Sequence, residues 1–139
     1  MRIKKPPTGI PGCHLAKLRK VCKLCIDIGM LVITLLLMAS ERTGIVLHMF
    51  LGAALFVLVV AHNILNLAWW AGIGKGTYSR TRWTRTIWNV LLLIDFLLVM
   101  ISGILYAVGL HRITALLFLI LTVIHIRVHW KRASAKQQK

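Results

Sequence analysis

The sequence predicts an all-α integral membrane protein, a bundle of four helices running up-down-up-down with both termini in the cytoplasm. Two observations predict it. Four long apolar runs (Leu24 to Ser40, Gly44 to Trp70, Ile87 to Leu110 and Ile113 to Ile126) dominate a chain that is 58% hydrophobic, with a mean hydropathy of +0.79. Between and around them lie 18 Lys and Arg against 3 acidic residues, a net charge of +15. In a soluble chain that charge would point to nucleic acid. Here the bases sit in the gaps between apolar runs, so membrane topology accounts for them and no nucleic-acid partner is expected. At 139 residues the chain is long enough for one domain.

The elements follow in order. Residues 1–23 form a basic cytoplasmic leader, 24–130 the transmembrane domain and 131–139 a basic tail that frays. Within the leader, Lys4-Lys5-Pro6-Pro7-Thr8-Gly9-Ile10-Pro11-Gly12 reads as loop from its Pro and Gly content. Leu15 to Lys23 reads as a basic, partly amphipathic stretch lying on the membrane surface. The first apolar run is a retained helix, because its leader is too long for a signal peptide and no small-x-small cleavage site follows. A helix crosses the hydrocarbon core in about 20 residues. The fourth run reaches that length only if His111 to Trp130 is helical throughout.

Orientation comes from the cations. The leader holds seven Lys and Arg, the loop between the second and third runs four, and the tail from Arg127 five. The other two loops hold only Arg42 and Arg112. The excess of bases marks the cytoplasmic side. Trp69, Trp70, Tyr78, Trp83 and Trp88 cluster at that boundary as an aromatic belt, and Trp130 ends the fourth helix in the same way. Cys13, Cys22 and Cys25 fall in or beside the leader, where disulfides do not persist. Cys22 and Cys25 form a CxxC followed by Ile26, which excludes covalent haem attachment. With Cys13 and His14 they make a weak four-ligand zinc or redox candidate, set against simple thiols.

The chemistry is carried by histidines. His48 and His62 lie 14 residues apart on the second helix, and His111 and His125 lie 14 apart on the fourth. On an ideal helix that spacing is a rise of about 21 Å with both residues on nearly one face. Helices two and four run parallel in an up-down-up-down bundle, so His48 comes level with His111 and His62 with His125. Facing imidazoles at two depths are what two six-coordinate haems require. Each histidine pair is too widely spaced for its two members to share one zinc ion. Gly44, Gly52, Ala53 and Ala54, then Thr114, Ala115 and Thr122, with Ser102 and Gly103 on the third helix, leave room for the macrocycle. Close packing between membrane helices explains such residues equally well.

Other polar residues have weaker readings. Asn66 and His129, one turn beyond His62 and His125, are candidate propionate or ligand-orienting partners, or simply interfacial polar groups. Arg42, Arg112 and Arg127 sit where propionates would be, as ordinary boundary arginines also do. Asp27 and Asp95 form part of a weak internal repeat, each on a helix followed by a two-histidine helix. A salt bridge to Lys23 or Arg85 is the favoured role for these carboxylates, with proton relay to a quinone site the other.

Two stretches carry a resemblance. The 14-residue pairs on two helices resemble the cytochromes b of quinol-oxidising complexes. The segments Asp27-Ile28-Gly29-Met30, Thr43-Gly44-Ile45-Val46-Leu47-His48-Met49-Phe50-Leu51-Gly52, His62-Asn63-Ile64-Leu65-Asn66 up to Trp69-Trp70, and His125-Ile126-Arg127-Val128-His129-Trp130 resemble the small four-helix flavinylation-associated cytochromes, over roughly residues 24–130. That family's pattern has an acidic residue after the first ligand, where this chain has Met49. The resemblance implies electron transfer across the cell membrane to an extracytoplasmic flavoprotein, with His48, His62, His111 and His125 as the ligands of two b haems. The expected protein is then the redox subunit of a larger oxidoreductase, with the lipid bilayer, a flavoprotein and a quinone as partners. The alternatives are a self-contained quinol-dependent reductase and a haem-free membrane anchor or transporter.

Overall fold

The computed structural model describes residues 11–77 and 79–137, without the side chains at 11–13, 16, 40, 43 and 130–137. The expected loop at Lys4 to Ile10, the Cys13 and Trp130 side chains, and Tyr78 therefore lie outside the described residues. The described residues form five helices: α1 Pro11–Met38, α2 Ser40–Leu65, α3 Leu67–Trp70, α4 Arg80–Ile104 and α5 Val108–Gln137. Four segments are long and apolar enough to cross a membrane: Lys17–Met38, Gly44–Leu65, Arg80–Ile104 and Val108–His129. The all-α class and the four spans expected from the apolar runs are both present.

The chain divides into two compact units. The first ends at Ile73 and contains the α1–α2 hairpin with the short α3. The second begins at Gly74 and contains the α4–α5 hairpin. Few apolar side chains are buried: Leu55 on α2, Phe96 on α4, and Phe118 and Leu121 on α5. Leu35, Phe50, Ile64, Leu98, Ile104, Ile113 and Ile120 are all exposed. So continuous an apolar surface would aggregate in water, and its natural solvent is lipid. Three hydroxyls within the spans donate to carbonyls of their own helix. Thr34 donates to the Met30 carbonyl at 2.8 Å, Thr114 to Leu110 at 2.9 Å and Ser102 to Val99 at 3.0 Å.

Three boundaries differ from the sequence reading. Helix α1 begins at Pro11, a residue suited to the first helical turn, and continues through Leu15 to Lys23 into the span. The basic stretch is thus the opening turns of the same helix, not a separate surface segment. Helix α5 extends to Gln137, so most of the tail is helical. The second run breaks at Asn66, whose φ of −108° and ψ of 16° separate α2 from α3.

Gly44 interrupts α2 with φ 76° and ψ 161°. An added Cβ there would meet nothing within 4 Å. Glycine is therefore required by the backbone, and not to clear space for a neighbour.

The α4–α5 turn carries the opposite choice. Tyr106 sits at φ 54°. The Ala107 N–H donates to the Ser102 carbonyl at 2.9 Å and the Tyr106 N–H to Gly103 at 3.2 Å, a Schellman ending with tyrosine where glycine is usual. Its side chain is 77% exposed, so little packing compensates the left-handed backbone. Tyr106→Gly is expected to stabilise the hairpin by about 1 kcal/mol. A circular dichroism melt in detergent would register this as a higher midpoint, and a lower midpoint would show that the exposed ring contributes contacts.

Candidate functional site

In the first unit, the spacing of four residues on each helix builds a ladder between α1 and α2. Lys23 and Asp27 are one turn apart on α1, and His62 and Asn66 are one turn apart on α2. The Lys23 ammonium donates to the Asn66 side-chain oxygen at 2.7 Å. The next rung joins His62 Nδ1 to an Asp27 carboxylate oxygen, also at 2.7 Å. Against an ionised carboxylate, Nδ1 is the donor, which leaves Nε2 with a free lone pair in the neutral ring. Arg19 donates to the Leu65 carbonyl at 3.0 Å and so caps the end of α2, where a cation also meets the negative pole of the helix. Beside the ladder, Arg19, Lys20, Lys23 and Trp69 line an open cleft of about 560 Å³.

The second unit treats His111 in a parallel way. Its Nδ1 lies 3.0 Å from the Val99 carbonyl and 3.3 Å from the Ser102 hydroxyl. A carbonyl can only accept, so Nδ1 again carries the proton and Nε2 is the atom with the lone pair. Gly103 makes the approach possible. A Cβ at that position would stand 3.2 Å from His111 Cε1 and 3.3 Å from Nδ1. Gly103 is small at the point where the imidazole of His111 packs against it.

The other two histidines lie on the same helix faces at the predicted spacing. His48 and His125 are half-buried, and the His125 ring lies against His129 with centroids 4.5 Å apart. Gly52, one turn from His48, has nothing within 4 Å of an added Cβ. Asn66 donates to the backbone carbonyl of His62 at 2.8 Å, so it supports the ladder and does not touch the ring.

Both expected salt bridges are replaced. Asp27 pairs with His62 and Lys23 turns to Asn66. Arg85 donates to its own helix at Thr81, and Asp95 is buried at 4% exposure with no hydrogen bond to either carboxylate oxygen. The internal repeat also ends at this point. Phe96 packs on Phe118, with centroids 5.7 Å apart. Asp95 therefore lies about 10 Å of helix short of His125, by the rise of α5 from residue 118. Cys22 and Cys25 are exposed free thiols. Among the described residues no group of three or more His, Cys, Asp or Glu is arranged for a metal ion, and the Cys13 side chain of the four-residue candidate lies outside them. A bis-histidine haem draws only two ligands, one from each of two helices, and is a different case.

The Asp27–His62 bond was missed in the sequence although its signal was present. Two four-residue spacings on adjacent antiparallel helices pair in order, and Lys23 took attention as the nearer partner. Fold and composition together define an all-helical protein with four helices fit to cross a membrane. Comparison with family models, curated proteins and solved structures finds no match.

Proposed function

We propose that this chain is a membrane cytochrome b that conducts electrons through two b haems, with His48 and His111 as one axial pair and His62 and His125 as the other. The pairing rests on the matched 14-residue spacings and on the alternation of the spans. The observation that carries the reading is the fixing of Nδ1 on His62 by Asp27 and on His111 by the Val99 carbonyl. Metal-ligating histidines almost always donate the other ring N–H to such an acceptor, which sets the tautomer and aims the ring.

When bound, haem supplies a one-electron iron couple, and two protein ligands on each iron favour electron transfer over oxygen chemistry. The chain's own part is to hold and orient the imidazoles and keep both sites at fixed depths. A membrane quinol is the proposed donor and an extracytoplasmic flavoprotein the proposed acceptor, in keeping with the family resemblance. The chain then acts as the redox subunit of a cell-membrane system.

The visible spectrum of the detergent-purified protein, oxidised and dithionite-reduced, tests this together with a pyridine haemochrome count. Two low-spin b haems per chain are expected, falling to one in His48→Ala and in His62→Ala. A protein that stays colourless when expressed with ample haem would end the reading.

A further inference from the structure

The two histidines whose Nδ1 partners are defined do not have equivalent partners. His62 meets a carboxylate at 2.7 Å, whereas His111 meets a neutral carbonyl at 3.0 Å and a hydroxyl at 3.3 Å. An ionised acceptor makes the shorter and stronger bond. It draws the Nδ1 proton toward itself, raises the basicity of Nε2 and places negative charge one ring away from whatever Nε2 binds. A more basic ligand and a nearby anion both favour ferric over ferrous iron, which lowers a reduction potential.

We infer that Asp27 is a positioning residue that lowers the potential of the iron site served by His62, making it the lower of the two. The inference rests on the cytochrome reading above and adds to it a direction. Electrons run downhill from the His62 end of the spans toward the His111 end. In the topology drawn from the cations, the His62 end is the cytoplasmic one.

The neighbouring charges have been weighed. Lys23 and Arg19 are committed to Asn66 and to the Leu65 carbonyl, and neither is bonded to the His62 ring. Their field raises the potential through space, while Asp27 acts through the ligand itself. Substitution at Asp27 isolates that effect, because the cations remain in place.

Redox titration of the haem-loaded, full-length protein tests the proposal by its midpoint potentials. Asp27→Asn keeps an oxygen acceptor but removes the charge. It is expected to raise one potential by about tenfold in reduction equilibrium, about 59 mV for a one-electron couple, and to leave the other unchanged. Asp27→Glu, which restores the charge, is expected to return most of that shift. An independent measurement covers the case in which Asp27→Asn fails to load haem. The haem remaining in His48→Ala should titrate below the one remaining in His62→Ala. Unchanged potentials in haem-loaded Asp27→Asn, or the reverse order in the two histidine variants, would overturn the role of Asp27. A protein without haem bands overturns the cytochrome reading instead, so the two failures are distinct.

Discussion

On the proposed cytochrome reading, replacing Gly103 by valine is expected to remove one of two haems and leave the other bound. A single methyl at this position already stands 3.2 Å from the His111 ring, closer than nearly all real contacts of its kind. Valine adds two further carbons on a side chain with one favoured helical rotamer, so it cannot swing clear. The ring must leave the Val99 carbonyl, and with it go the tautomer and aim of Nε2. Overpacking of this kind also strains a hairpin by about 1–3 kcal/mol. Pyridine haemochrome analysis should give one haem per chain, with the remaining haem absent from a Gly103→Val/His62→Ala double variant. Full haem content in Gly103→Val would mean that His111 ligates from some other position, or not at all.

The second large effect concerns Asp95. Its carboxyl group is 96% buried within a span, and neither oxygen has a hydrogen-bond partner. Burying a polar group unsatisfied costs about 1–3 kcal/mol by mutational measurements. Leucine has the same branching, with two bulkier methyls in place of the oxygens, and no such cost. Asp95→Leu is therefore expected to raise the thermal midpoint of the purified protein by several degrees, and Asp95→Asn by less, since the amide remains polar. A lower midpoint in Asp95→Leu would show that the carboxyl group holds a partner in the membrane-embedded protein. A stabilised but inactive variant would identify Asp95 as a group kept for function at the expense of stability.

The helices were legible in the sequence because hydropathy and length decide membrane spans almost alone. The four runs at Leu24, Gly44, Ile87 and Ile113 each became a long helix. Their ends were less legible. Polar composition suggested a surface segment at Leu15 to Lys23 and fraying after Trp130, yet nothing there breaks a helix, and backbone hydrogen bonding continued through both. The site was legible as residue types and spacings. Lys23, Asp27, His62 and Asn66 were all singled out, but the partner of each depends on the register of two helices. That register belongs to the two helices together, and residue spacing within either one does not fix it. Asp95 shows the same limit from the other side. The repeat suggested equivalence with Asp27, but Asp95 lies 16 residues before His111 where Asp27 lies 21 before His48, which moves Asp95 away from the level of His125.

The brevity of the two turns also bears on how the protein is made. Ala39 alone separates α1 from α2, and only Leu105 to Ala107 separate α4 from α5. Between the hairpins the chain takes a longer path, with Gly74 and Gly76 both at positive φ. A nascent helix with so short a turn behind it has no room to settle in the bilayer before its mate emerges. The ribosome thus delivers the chain to the translocon as two successive pairs, each leaving with its packing partner and its own polar side chains attached.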